Sequence, residues 1–372
     1  MKKLVISICT LLCLMAAPLS SAEWGGLLFN DSGVSTSDFS DITIKQSDGI
    51  SLWLKAPLGV GSGFYFSSEA LYKFTLEIAK GSDPVLTQIA DLPMLKIWGE
   101  TNLGSGVFTL NAGRFYYVDS TAAVLSQTID AVSVKFAFPS IAVGAFAGYT
   151  GLLNALNVPM NCTPTTNSEI YNLAYPYVPL GFILDFPSLF GNQGLELDAY
   201  YMVDLGENKK NLCYADLLLS GPITNTVYYN LATSFGFIDF KDMMNYSSLS
   251  FLIFPSEKVT LSAGATFGSA DGQGPFKAYS SLSAASPSYA GAITPKAALT
   301  YTTATMCIDV SGNLALTYSD PIYKPNDSNW SFSFIYNIFS DLQLGFTVNA
   351  KLDVTGANQH NYDAKLNLAL AF

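Results

Sequence analysis

The chain is short of charge, and two of the side chains most used in binding and catalysis are almost missing. Arg114 is the only arginine among 372 residues, His360 the only histidine, and charged residues make up 13 % of the whole. A nucleic-acid surface needs a basic stripe, which 18 lysines and arginines outnumbered by 29 acids do not supply. One histidine rules out a multi-histidine metal centre. A serine hydrolase would have to be built on His360, and no nucleophile motif accompanies it. No phosphate-binding loop, Cys-x-x-Cys pair or dinucleotide fingerprint occurs either. The sequence therefore implies no enzyme, no cofactor and no metal. Cysteine is scarce: beyond Cys9 and Cys13 there are Cys162, Cys213 and Cys307, an odd set that is no disulfide framework. Cys162 and Cys213 fall near strand tops and either pair or remain free thiols.

Long apolar runs are missing too, with one exception. Residues 1–22, MKKLVISICTLLCLMAAPLSSA, hold two lysines, an apolar stretch from Leu4 to Ala17, and Ser20-Ser21-Ala22 at the end. That is the layout of a secretory signal peptide cut after Ala22. Ile8 and Leu12, just ahead of Cys9 and Cys13, are too large for a lipoprotein cleavage site. Without Lys2 and Lys3, 16 of the 18 basic side chains remain against 29 acids, a net charge of about −13. After the signal no run of about 18 apolar residues recurs, so no helical span is expected. Hydrophobic residues are nonetheless 49 % of the chain, while the charged share is about half the usual one. A secreted globule needs more charge to cover its surface. A barrel with its apolar face outward does not.

What the sequence has in abundance is alternation. Side chains on a strand point to opposite faces in turn, so a period of two marks a wall with unlike sides. The segment LQLGFTVNAKL sets Leu342, Leu344, Phe346, Val348, Ala350 and Leu352 against Gln343, Gly345, Thr347, Asn349 and Lys351. WSFSFIYNI, VTLSAGATFG and LELDAYYMVDL repeat the pattern. Such runs suit tilted crossings of about 9–11 residues. They fall near 24–30, 49–57, 63–79, 93–103, 106–116, 128–138, 140–150, 176–187, 193–205, 210–220, 225–237, 246–255, 257–269, 292–303, 306–318, 329–338, 341–353 and 359–372. Links between them alternate short and long. Long ones are expected at 31–48, 80–92, 117–127, 151–175, 238–245, 270–291 and 319–328. This is the rhythm of periplasmic turns and extracellular loops. Residues 23–372 thus read as one all-β domain, a closed antiparallel transmembrane β-barrel of about 18 strands. The count is 16 if the first hairpin or the Pro295 strand is misread. Pro93, Pro179 and Pro295 sit where a ladder donor is lost.

The last eleven residues, YDAKLNLALAF, carry a resemblance. Phe372, Leu370, Leu368, Leu366 and Tyr362 form an apolar row ending on a terminal aromatic, with Lys365 at a polar position and Asn367 where a glycine is usual. This resembles the C-terminal strand of Gram-negative-type outer-membrane β-barrels, porin-like in strand number and loop pattern. The resemblance implies an outer-membrane location in a diderm bacterium and contact with outer-membrane lipids. It also implies recognition by the barrel-assembly machinery, closure against the first strand around Trp24–Phe29, and possible homo-oligomers.

The water-facing rows carry Glu69, Lys73, Glu77, Lys96, Glu100, Lys135, Asp185, Glu196, Asp198, Asp204, Asp216, Asp309, Lys351, Asp363 and Lys365. A Lys or Arg on the lipid face at mid-bilayer costs about 2–4 kcal/mol, so these charges are expected to line a lumen. Their acidic excess would favour cations slightly, or else they only solvate the wall and pair with one another. Trp53, Tyr65, Trp98, Phe146, Tyr200, Tyr214 and Tyr228 share those rows and are able to stack on flat solutes. Phe64, Phe66, Tyr72, Tyr149, Tyr201, Tyr229, Phe254, Tyr318, Trp330 and Tyr336 read as interfacial girdles. Arg114 breaks parity, following Phe108, Leu110 and Ala112 on the lipid row. Either a bulge at Gly113 swings it inward as a rim contact for solute, or it stays outward and snorkels toward the headgroups, the reading to be preferred. The loop 151–175 either constricts the lumen or caps the rim. The function expected is passive diffusion of small hydrophilic solutes. A fatty-acid-type transporter with an N-terminal hatch and a closed structural or adhesin barrel are the alternatives.

Overall fold

The computed structural model describes residues 22–59, 61–158, 170–206, 209–269, 291–319, 322–356 and 359–372. Among them run eighteen strands. The first nine are β1 (Glu23–Ser37), β2 (Asp41–Pro57), β3 (Phe64–Ala79), β4 (Val85–Leu103), β5 (Gly106–Val118), β6 (Ser126–Ala137), β7 (Ala142–Tyr149), β8 (Tyr177–Phe190) and β9 (Gln193–Asp204). The remainder are β10 (Leu212–Thr224), β11 (Val227–Ile238), β12 (Asp242–Ser256), β13 (Val259–Gly268), β14 (Ala292–Thr302), β15 (Met306–Ser319), β16 (Ile322–Asn337), β17 (Leu342–Asp353) and β18 (Asn361–Ala371). Each pairs antiparallel with its neighbours in sequence, and β1 pairs with both β2 and β18. The sheet closes into an all-antiparallel barrel. The signal-peptide reading falls almost wholly on residues outside the described set, as does Cys162.

The first hairpin is longer than its sequence suggests. The expected loop 31–48 is strand, and only residues 38–40 turn between β1 and β2. Alternation fails there because Asn30, Ser32, Gln46 and Asp48 occupy the row that elsewhere holds Leu28, Val34, Ile44 and Ile50. These four polar groups answer one another: Asn30 Nδ2 donates to Asp48, and Ser32 Oγ donates to Gln46 Oε1 at 2.6 Å. The turn itself uses Asp38 and Phe39 at φ 47° and 58°, and Asp239–Phe240 repeats the device between β11 and β12 at 49° and 59°. A turn whose first two residues have that hand matches strand twist but strains side chains other than glycine. Each strained ring finds a partner: Phe39 stacks on Tyr362 at 4.8 Å and Phe240 on Tyr201 at 5.8 Å. Both carboxylates also accept a backbone N–H, from His360 and Asn211 respectively.

Pro93 and Pro295 coincide with defects, whereas Pro179 pairs with Met202 in unbroken register. The β3–β4 register shifts between Glu69 and Leu71, opposite Leu92 and Pro93, and β14–β15 pairing skips the step at Pro295. The missing N–H explains both.

Closure runs from Leu27 opposite Ala371 to Ser37 opposite Asn361. The last residue completes it: Gly26 N donates to Phe372 O at 2.8 Å, and Phe372 N donates to Gly26 O at 3.0 Å. Glycine is needed at that seam, since a Cβ on Gly26 would meet the Phe372 ring at 2.4 Å and Leu52 at 2.9 Å. Gly26→Val should therefore push the terminal ring aside and cost about 1–3 kcal/mol, the usual range for overpacking. Heat unfolding in detergent, followed by the shift between folded and unfolded gel bands, should show a lower midpoint. An unchanged midpoint would mean that the seam does not limit stability.

Candidate functional site

Burial identifies the inner face. Along β9, Asp198, Tyr200, Met202 and Asp204 are buried, whereas on β11 and β6 the residues Leu231, Phe235, Val132 and Phe136 are exposed. On a lone barrel only the lumen side can be covered. Cross-strand register carries that face around the wall: Tyr200 faces Tyr214 and Gly181, Asp216 faces Ser234, and the chain of partners extends to every strand. The opposite row, including Leu366, Leu368, Leu370 and Phe372, is exposed and apolar, as a lipid-facing surface must be.

What covers the inner face is residues 119–125, between β5 and β6. Ala123, Val124 and Leu125 have no exposed surface and pack with Phe115, Ile129, Phe146, Tyr200, Met202, Tyr214, Met244 and Tyr246. This short apolar stretch thus folds into the lumen and lies on the β7–β12 wall. Asp119 shapes it. Its carboxylate accepts from the backbone N–H of Thr121 at 3.0 Å, Ala123 at 3.3 Å, Val124 at 3.1 Å and Leu125 at 2.6 Å, and from Thr121 Oγ1 at 2.5 Å. The sequence carried a signal that was not read: an Asp-Ser-Thr start, which favours side-chain-closed turns, followed by four apolar residues in a loop that water would otherwise meet.

The covering changes which charges meet the lumen. Asp198, Asp204 and Asp216, expected to border open space, are buried instead. Asp204 accepts from Gly206 N at 2.7 Å and Lys210 N at 2.9 Å and so closes the β9–β10 loop. Lys135 and Asp185 pair at 3.2 Å, with Glu196 beside them. Glu69 accepts from Ser51 Oγ, and Asp309 from Thr300 Oγ1 at 2.7 Å. Lys73 shares the Glu69 row; Glu77 lies 3.7 Å from Lys45, and Glu100 is exposed. Lys96 lies 5.4 Å over the Trp98 ring. Lys351 is half-exposed and reaches the buried Asp327 at 3.0 Å, and Lys365 is exposed. Phe146, Tyr200 and Tyr214 are likewise covered, so they offer no stacking track. Phe254 lies against the inner-row Tyr228 at 5.8 Å, not in an outer girdle.

Facing the folded-in loop is a cavity of about 480 Å³ along β14–β18. Register aligns Lys296, Asn313, Asn329, Lys351 and Asn361 across its five strands as one belt. Asn329 Nδ2 donates to Asn313 Oδ1 at 2.9 Å. Lys296 escaped the sequence reading because Pro295 made its strand doubtful.

Arg114 is not swung inward. The β5–β6 register passes through Gly113 without a shift and puts Arg114 opposite Asp130, on the outer row of Val132 and Phe136. Nε and Nη2 donate to the two Asp130 oxygens at 2.6 and 2.7 Å, and other donors reach Leu152 O at 2.8 Å and Tyr171 Oη at 3.2 Å. Pairing between β4 and β5 stops at Leu95–Arg114, although both strands continue. The β7–β8 loop fills the split: Asn154 Nδ2 donates to Ala90 O at 3.1 Å and Asn157 Nδ2 to Asp91 at 2.5 Å. Arg114 clasps that loop to the wall. Residues 159–169, the middle of the loop expected at 151–175, lie outside the described set.

These features are the architecture of a porin-like outer-membrane β-barrel. No protein-family model matches the sequence, and no curated protein matches it. Solved structures do. OpdQ of Pseudomonas aeruginosa is similar over 95 % of this chain and 99 % of its own, with a TM-score of 0.61 at 10 % identity. OccK3 (OpdO) of the same organism gives 0.63 at 9 % identity, over 95 % and 96 %. OccK2 (OpdF), solved in complex with glucuronate, gives 0.61 at 12 % identity, over 95 % and 98 %. At such identities the likeness is one of fold.

Asp119→Ala should free the lumen. It strands the buried N–H groups of Thr121, Val124 and Leu125, each costing about 1–3 kcal/mol, while Ala123 N keeps Thr121 Oγ1 at 3.2 Å, so the 119–125 segment should leave its seat. Single-channel conductance should rise and protease should cut within the segment; unchanged conductance would show that another element sets the narrowest point.

Proposed function

We propose that the chain is an outer-membrane channel through which small hydrophilic solutes diffuse passively, with anions and polyhydroxylated molecules preferred over cations. The observation that carries this reading is the belt Lys296–Asn313–Asn329–Lys351–Asn361 across the cavity, facing a wall on which Asp119, Asp198, Asp204 and Asp216 are buried and Asp185 is paired with Lys135. Amide and ammonium groups donate to hydroxyl and carboxylate oxygens. The OccK2 (OpdF) complex supports the reading, because glucuronate is a hydroxylated carboxylate. Selection works by lumen width and wall charge and needs no energy input. The reading replaces a cation preference inferred from the acidic excess, since a charge sealed under a loop gives solute no contact.

Export follows cleavage after Ala22. The terminal strand, with Tyr362, Leu366, Leu368, Leu370 and Phe372 on its lipid row, is what the barrel-assembly machinery reads. No chemistry is performed on the solute. The fatty-acid-type alternative loses its main feature, because the residues from Glu23 onward are already wall and leave no hatch segment among the described residues.

Reversal potentials in a salt gradient across planar bilayers test the preference. The unaltered channel should select chloride over potassium, and Lys296→Glu with Lys351→Glu should move the reversal potential toward cation selectivity. Cation selectivity in the unaltered protein, or no conductance at all, would contradict the proposal.

A further inference from the structure

Under the folded-in loop, two carboxylates face each other without a cation between them. Asp198 on β9 and Asp216 on β10 are direct cross-strand partners on the inner face, and both are almost wholly buried, at 4 % and 3 % exposure. Each has one oxygen in use. Asp198 Oδ2 accepts from Tyr200 Oη at 2.9 Å and from the backbone N–H of Ser120 at 3.1 Å. Asp216 Oδ1 accepts from Ser234 Oγ. The other oxygen of each, Asp198 Oδ1 and Asp216 Oδ2, has no hydrogen-bond partner among the described residues. Directly opposed like charges destabilise a sheet, and buried acceptors without donors are rare.

The groups packed around the pair do not neutralise it. The loop brings Asp119, β9 brings Glu196 and Tyr200, β10 brings Tyr214, β5 brings Tyr117 and β8 brings Asp185 and Tyr177. The nearby cation is Lys135, which is engaged with Asp185. A divalent ion would need six or more oxygens, yet the remaining oxygens of both carboxylates are occupied. No cluster of three or more His, Cys, Asp or Glu residues suited to a metal exists among the described residues. A single proton meets the need with nothing added. It turns one orphaned acceptor into a donor and removes one of the two opposed charges.

We propose that Asp198 and Asp216 hold one proton between them, and that this proton keeps the 119–125 loop seated in the lumen. Ser120 is the loop's bond to Asp198, and Leu125 and its neighbours seal the pair from water. When the proton leaves for lumen water as pH rises, two negative charges remain at one buried spot, and the seal must open to hydrate them. The channel therefore widens on the alkaline side. This holds whatever solute passes.

Conductance and infrared spectra of the full-length refolded protein, recorded across a pH series, test the proposal. The unaltered channel should show a conductance step upward with rising pH and a protonated-carboxyl band that disappears over the same range. Asp216→Asn places an N–H donor opposite Asp198 at every pH, so it should hold the low-pH conductance throughout and lose both step and band. Asp198→Asn is the second variant should the first not fold. A step that survives in a folded variant overturns the proposal, as does its absence in the unaltered channel, or dependence on added calcium instead of pH. If no conductance is found at any pH, the channel reading fails and the infrared band alone decides: its absence from the unaltered protein overturns the proton.

Discussion

Inside hydrocarbon no water answers a backbone N–H or C=O, so a wall of strands there has to close on itself. Everything in this molecule follows from meeting that demand. The seam of β1 and β18 is joined down to the last residue, and the glycine opposite the terminal ring makes room for it. Where pairing lapses between β4 and β5, side chains of the β7–β8 loop take the place of a strand and donate to the free edge. Even the polar residues of the first hairpin face outward only because they satisfy one another.

Closure creates an inside, and the inside sorts charge by access as well as by sign. The chain is acidic in total, yet Asp119, Asp198, Asp204 and Asp216 are buried, the first three bonded to loop backbone N–H groups. Lys296, Lys351 and Lys365 stand exposed on the inner row of the other wall. Of these two groups only the second is exposed. Net charge is an argument about solubility and long-range fields, and it does not say which charges stand exposed on the inner face.

The wall was largely legible beforehand. From Asn329 to Phe372 the alternation of apolar and polar residues marks strands, faces and register with few breaks, because lipid and water impose a strict period of two, whereas residues 322–328, expected as loop, are strand. It failed where residues answer each other instead of a solvent: Asn30, Ser32, Gln46 and Asp48 read as loop and are strand. For Arg114 the alternation held: parity puts it on the outer row, where it is, and the bulge offered as the alternative does not exist. The lumen was less legible. Which loop turns inward depends on tertiary packing of Ala123–Leu125 against six strands, and no local pattern announces that destination.

The central claim is that one row of each strand meets water inside a closed wall and the other meets lipid. Cysteines introduced singly at Thr347, Val348, Asn349 and Ala350 of β17, in protein reconstituted into bilayers, read this directly. A water-soluble thiol reagent should label positions 347 and 349 and spare 348 and 350, while a lipid-borne quencher should report the reverse. Equal labelling of all four, or labelling of 348 and 350 alone, would contradict the account.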